Sequence, residues 1–311
     1  VADFWRGYFG IGSWPVEDLY YALVERFVGG FHLADPRAME ALQGRAVLYL
    51  GNHQVGIESL IFSIVASALQ KVPTLTLAKV EHQQSWLGKL IRQCFRYPGV
   101  TDPGVITYFD RTDPQSLPRI TKQLAQQASG AGARSLMVHV EGTRAHSARH
   151  RVTKMSGVFC DLAIGAGVPV VPVRFSGGLP VEPVDEKLEY PVGMGRQDYW
   201  LGAPILPEEL AALPYKERTQ RVTAAIEALG PDPATEEPNR GDAELAARVE
   251  ARAARSASGA GLATLVEVLH ARADLGDEAR RLLELVDEPA AKAPGDGPEA
   301  RWLTDLAALL R

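Results

Sequence analysis

The sequence predicts an α/β fold: a mixed, largely parallel sheet flanked by helices, with N-terminal helices before it and a C-terminal helical appendix after it. Three observations predict this. Short β-rich runs at 46–50, 74–78, 105–109, 135–140, 170–175 and 198–201 alternate with helical stretches near 56–70, 83–97, 115–129 and 153–166. Such alternation packs helices on a mainly parallel sheet. Residues 1–43 read as helical and aromatic-rich, and beyond 241 the composition shifts to Ala, Arg, Leu and Glu.

Taken in order, 1–43 form an N-terminal helical segment carrying Phe4, Trp5, Tyr8, Phe9, Trp14, Tyr20, Tyr21, Phe27 and Phe31. Pro15 followed by Glu17 and Asp18 marks a helix start. Leu19, Leu23, Phe27 and Val28 share one face of that helix, which either packs on the core or meets lipid or an acyl chain. Residues 44–230 form the α/β domain, closed by a helix over 208–229 after Pro207. Residues 231–241, with three prolines and a glycine, read as a linker or ordered loop. Residues 242–311 form the helical appendix, with amphipathic helices at 242–256, 260–274, 276–287 and 299–310 and no catalytic motif.

With 311 residues the chain can build one large domain, or one domain and a small addition. A net charge of -5 argues against a nucleic-acid partner. Cys94 and Cys160 stand far apart and outside any C-x-x-C spacing, which argues against a disulfide scaffold or zinc ribbon and fits a reducing compartment. No charged-then-apolar leader opens the sequence, so no signal peptide is expected. The longest nearly apolar run, 59–69, falls short of the roughly 20 residues a membrane-spanning helix needs. A cytoplasmic location is expected.

Four segments carry chemistry. Gly51-Asn52-His53-Gln54-Val55-Gly56-Ile57-Glu58 follows a strand directly, where α/β proteins place their sites. On a regular helix, residues five apart point about 140° away from each other. His53 and Glu58 therefore meet only if His53 lies in the turn and Glu58 on the helix's first turn. Glu58 would then hold one imidazole nitrogen and leave the other to take a proton from a hydroxyl. Alone the signal is weak: with 38 acids and seven histidines in the chain, about one such spacing arises by chance. The second segment, 104–111, delivers Asp110 and Arg111 to a strand end, and an arginine there can clamp a phosphate. The third, Glu141-Gly142-Thr143-Arg144, is the most specific, arising by chance in well under about 1% of chains this long. Residues 144–154 contain no acid and read as a local positive patch suited to phosphate or phosphopantetheine. His146 and His150 stand four apart but lack a third ligand, so no metal site is expected. The fourth segment, 167–174, reads as a buried strand in which Pro172 marks an edge or a bulge.

The order Asn-His-x4-acid, Gly-x4-Phe-x-Arg, Glu-Gly-Thr-Arg and Val-Pro-Val-Val-Pro-Val resembles the four blocks of the glycerol-phosphate and lysophosphatidic acid acyltransferase family over roughly residues 45–210. The resemblance implies transfer of a fatty acyl group from an acyl-CoA or acyl carrier protein thioester to lysophosphatidic acid, giving phosphatidic acid, with no covalent acyl-enzyme and no cofactor. It makes His53 the general base and Glu58 its partner, where the family usually has Asp. It makes Arg111 a ligand of the acceptor phosphate, and Glu141, Gly142, Thr143 and Arg144 the acceptor site. Pro172 falls on the block associated with acyl and acceptor placement, and Lys79 is similar to a basic residue near the phosphate. The helical tail and the start at Val1 are similar to acyltransferase domains embedded in bacterial polyunsaturated fatty acid synthases. A lipid product implies peripheral contact with the inner membrane surface, through the N-terminal aromatics.

Rival readings are transfer to an acceptor without phosphate, hydrolysis, and a non-catalytic docking domain of a megasynthase. Hydrolysis lacks a Gly-x-Ser-x-Gly elbow.

Overall fold

The computed structural model describes residues 1–12, 14–100, 106–110, 112–113, 115–127, 132–256, 259–291, 293 and 295–311. Helices α1 (Ala2–Phe9) and α2 (Pro15–Phe27) precede strand β1 (Val28–Leu33). Next come α3 (Pro36–Ala41), β2 (Leu48–Gly51), α4 (Glu58–Gln70), β3 (Thr74–Lys79), a 3₁₀ turn (Val80–Gln84) and α5 (Trp86–Cys94). The chain continues through β4 (Ile106–Phe109), α6 (Ser116–Gln126), β5 (Ser135–His139), α7 (Val158–Ala166) and β6 (Val170–Ser176). A second 3₁₀ turn (Val192–Met194), β7 (Gln197–Leu201), α8 (Pro207–Ala211) and α9 (Tyr215–Glu227) follow. The last elements are α10 (Ala243–Ala253), α11 (Gly259–His270), α12 (Asp277–Asp287) and α13 (Pro298–Leu310).

These elements form two compact units. Phe27–Lys79 and Gly104–Gly241, with Val1, make one; Ala2–Arg26, Val80–Pro103 and Asp242–Arg311 make the other. The first unit holds a seven-stranded sheet in the order β1-β7-β6-β2-β5-β3-β4. The five strands from β6 to β4 run parallel, β7 runs against β6, and β1 runs alongside β7. This is the mixed, largely parallel sheet that the alternation predicts.

Period-two alternation divides the sheet's two faces. Leu48, Leu50, Leu75, Leu77, Leu136 and Val138 join a core with residues of α6, α7, α8 and α9. Tyr49, on the opposite face, meets Phe62 of α4 edge-on at 5.0 Å, and Phe62 meets Phe175 at 5.7 Å. Burying such aromatics pins α4 to that face, and α4 begins at the site residue Glu58.

The structure departs from the sequence reading at three places in this unit. Residues 28–33, taken as part of a helical segment, form β1 and pair with β7. The helix expected over 208–229 is interrupted before Pro214, which caps α9. Pro172 lies on an interior strand, not an edge: β6 sits between β2 and β7 and is buried throughout. The bulge alternative describes it better. Between the pairs Val170–Ile205 and Val173–Leu201, three residues (202–204) face two (171 and 172). The irregularity occurs where proline has no N–H to give, while the Pro172 carbonyl still accepts from Gly202 N at 2.8 Å.

The second unit is helical. Trp14 and Phe95 lie 5.5 Å apart, Phe9 sits 5.0 Å from Trp14, and Trp302 Nε1 donates to Gln93 O at 2.7 Å. Leu19 and Leu23 of α2, with Phe27, are fully buried. The face they share is therefore a core face, not a lipid face. Among the described residues, no helix is long and apolar enough to cross a membrane.

Candidate active site

The site forms where β2 and β5 end side by side, with Gly51 opposite His139. Parallel strands deliver their loops to the same edge, which is why residues remote in sequence meet there. After Gly51 the chain turns sharply. The Asn52 side chain fixes that turn by donating to Phe175 O at 2.9 Å and accepting from Phe175 N at 2.8 Å, much as another strand residue would.

His53 lies in the turn and Glu58 is the first residue of α4, the one arrangement in which the two can touch. His53 Nδ1 is 2.7 Å from Glu58 Oε1. Glu58 is fully buried. Its carboxylate also accepts from Gln54 N at 2.9 Å, Val55 N at 3.1 Å and Gln197 Nε2 at 2.8 Å. Burial raises its pKa, and His139 and these donors pull the other way. The geometry dictates the tautomer of the neutral ring: Nδ1 of His53 donates to the carboxylate, and Nε2 carries no hydrogen. The His53 side chain is 16% exposed, enough for a small group to approach.

The Glu-Gly-Thr-Arg turn sits immediately beside this pair. Ala145 N donates to His53 O at 2.7 Å, which ties the two loops together. Gly142 adopts φ +66°, a left-handed conformation that glycine takes without strain. Arg144 donates to Leu188 O at 2.7 Å and pairs with Glu189 at 2.6 Å. Gly56 leaves room for that pair, since a Cβ there would collide with the Glu189 carboxylate. Thr143 Oγ1 accepts from Lys187 Nζ at 2.6 Å. Glu141 receives His150 Nε2 and Thr153 N, each at 3.2 Å.

Beside this turn opens a cavity of about 490 Å³, lined by Glu141, Thr143, Arg144, His146, Arg149 and Lys154 among others. The positive patch expected over 144–154 is largely neutralised. Arg144 pairs with Glu189, Arg149 with Glu237, and Arg151 with Glu227 and Asp232. A sequence-local charge reading misses these acids, because α9 and loops far along the chain supply them.

Of the remaining predicted residues, Lys79 ends β3 opposite Phe109 of β4, and β5 lies between β3 and β2. Pro172 is level with Leu50, within the sheet. Arg111 lies outside the described residues.

The sequence reading gave His139 no role. Its ring lies flat against His53, centroids 3.6 Å apart and planes within 13°. His53, Glu58 and His139 are also the one grouping, among the described residues, of three potential metal ligands within 4.8 Å of one another. The contacts fit hydrogen bonding better. The nitrogen and oxygen nearest each other are already at 2.7 Å, and His139 Nδ1 is bound to the Asn52 carbonyl at 2.6 Å. The only sequence signal for His139 was a histidine on a strand end two residues before Glu141.

Residues 35–176 match the model of the Acyltransferase family. The acyltransferase match spans β2 to β6 and so contains His53, Glu58, His139 and the Glu-Gly-Thr-Arg turn. It supports acyl transfer as the general activity. A comparison with curated proteins finds no match.

Proposed function

We propose that this protein is an O-acyltransferase that moves a fatty acyl group from an acyl carrier protein or CoA thioester to the free hydroxyl of lysophosphatidic acid, giving phosphatidic acid. The observation that carries the reading is the 2.7 Å contact between His53 Nδ1 and Glu58, one loop away from the Glu-Gly-Thr-Arg turn. His53 Nε2 takes the hydroxyl proton as the oxygen attacks the thioester carbonyl. The tetrahedral adduct then expels the thiolate, which recovers the proton from the imidazolium. Glu58 supports the charge that His53 carries between the two transfers, and a base of this kind contributes about 10²–10⁴-fold.

The acceptor phosphate occupies the cavity beside Thr143 and Arg144, with His146, Arg149 and Lys154 on its wall. Arg111 would supply a further cation, and Lys79 and Pro172 would act on acceptor and acyl placement. The chain works at a membrane surface, where its lipid product leaves, and the donor is a polyunsaturated acyl chain still tethered to its carrier. One observation favours an acceptor without phosphate: the Arg144 charge is already matched by Glu189.

Mass spectrometry of products from lysophosphatidic acid with oleoyl-CoA, a polyunsaturated acyl-CoA and the matching carrier-protein thioesters tests the reading. Phosphatidic acid is expected, with the carrier-bound polyunsaturated donor used best. Equal use of all donors removes the synthase context. Efficient acylation of monoacylglycerol, with Arg144→Ala leaving the KM for lysophosphatidic acid unchanged, removes the phosphate acceptor.

A further inference from the structure

The Glu58 carboxylate fixes one edge of the His53 ring. A hydrogen bond at Nδ1 does not by itself fix the ring's plane, and proton transfer at Nε2 depends on that plane. A second contact stops the tilt. His139, carried by β5 to the level of Gly51, lays its ring along the face of His53 at 3.6 Å.

His139 is itself held at both nitrogens. Nδ1 stands 2.6 Å from the Asn52 carbonyl oxygen, which can only accept, so Nδ1 carries the hydrogen. Nε2 is then the bare nitrogen and accepts the Ser59 hydroxyl at 2.6 Å. Its side chain is only 8% exposed. The three anchors come from the turn after β2, the start of α4 and the end of β5, so the ring can neither flip nor swing away from His53. Neither nitrogen has a direction left in which to reach a substrate.

We propose that His139 is a positioning residue: a neutral imidazole, locked at both nitrogens, that serves as a flat wall holding the plane of the His53 ring. The inference rests on His53 being the base of the proposed reaction. The wall also suits the charged intermediate. When His53 takes its proton, an uncharged aromatic face lies beneath it, and a cation over such a face is attracted to it. A charged neighbour would repel it. Burial, with His53 close by, pushes the His139 pKa down to about 3, against the pull of Glu58 and with Arg144 adding to the downward shift. His139 is therefore neutral whenever His53 works.

Three substitutions separate the flat ring from its hydrogen bonds. His139→Phe keeps the ring without the polar anchors, His139→Gln keeps polar groups without the ring, and His139→Leu keeps only bulk. His139→Leu and His139→Gln are expected to lower kcat at least about ten-fold while KM for both substrates stays within about two-fold. His139→Phe should recover most of kcat. A Leu variant as fast as the parent, or a Phe variant no better than Leu, overturns the proposal.

A second readout needs no substrate. Nitrogen NMR of histidine-labelled protein should show His139 as the neutral Nδ1–H tautomer across pH 5.5–8.5. The His53 Nδ1–H signal should be sharp in the parent and in His139→Phe, and broadened in His139→Gln. Titration of His139 in that range, the opposite tautomer, or an unchanged His53 signal in His139→Gln overturns the proposal. If the parent transfers nothing to lysophosphatidic acid, the proposed function fails, and the NMR result still decides the role of His139.

Discussion

Glu58 stands where the resemblance leads one to expect aspartate, and the structure gives the extra methylene a use. Starting from the first residue of α4, the longer side chain reaches His53 Nδ1 and Gln197 Nε2 while still accepting from Gln54 N and Val55 N. A carboxylate drawn back by one carbon cannot keep all four contacts. Glu58→Asp should therefore lower kcat by about ten-fold or more, by letting the imidazole drift from its working position. His53→Ala should remove about 10²–10⁴-fold of the rate. Because the ring sits in a turn and not in the core, unfolding midpoints should barely move. Steady-state kinetics and thermal melts on both variants check this. A fully active Glu58→Asp would mean that the turn re-forms around the shorter acid, and a fully active His53→Ala would remove the base.

At the scale of elements, the segment between α9 and α10 is more than a connection. Glu236 is only 2% exposed and pairs with Arg174 of β6 at 2.6 Å. It also accepts from Gln54 Nε2 at 2.7 Å and Gly177 N at 3.0 Å. Gln54 Oε1 in turn accepts from Gln197, the residue that donates to Glu58. A buried polar chain thus runs from this segment to the acid of the site. Glu236→Ala leaves a buried guanidinium without its counter-charge, and should cost about 3–5 kcal/mol in urea unfolding. A loss under 1 kcal/mol would mean that water replaces the carboxylate. The composition of 231–241 hides this, since prolines, acids and a glycine read as loop whether or not one acid is buried. β1 was hidden for a related reason. Val28 continues the helical spacing of Leu19, Leu23 and Phe27, and Gly29 and Gly30 have little strand preference of their own. Only pairing with β7 makes them a strand. Pro214, by contrast, was a visible break that the long-helix reading passed over.

For the molecule as a whole, the alternation of short apolar runs and amphipathic stretches was enough to read the sheet apart from β1, and nearly all its helices, because each signal is local. The His53–Glu58 pair was legible for the same reason, its turn and helix start being contiguous. His139, Glu189 and Glu236 were not legible, since their roles arise from strand order and long loops. The same buried site makes a prediction about global stability. His139 binds a proton less readily in the folded protein, at about 3, than its ordinary value of 6.5. Between those values the unfolded chain takes up the proton and the folded one resists, so the His139 contribution is complete above pH 6.5 and is lost as pH falls toward 3. The raised pKa of Glu58 acts in the opposite sense: its contribution is present below its ordinary value of 4.5 and is lost as pH rises through the folded value. Comparing the parent with His139→Phe reads the first effect; because His139 also lowers the Glu58 pKa, its loss shifts the Glu58 contribution in the same direction. The difference in unfolding free energy should change by up to about 1.4 kcal/mol per pH unit over the acid range, with the parent losing ground as pH falls. Urea titrations at pH 7, 6, 5 and 4 measure it. A difference that stays constant with pH would mean that His139 takes up its proton as readily in the folded protein as in the unfolded chain, and that the wall behind His53 becomes charged below about pH 6.5.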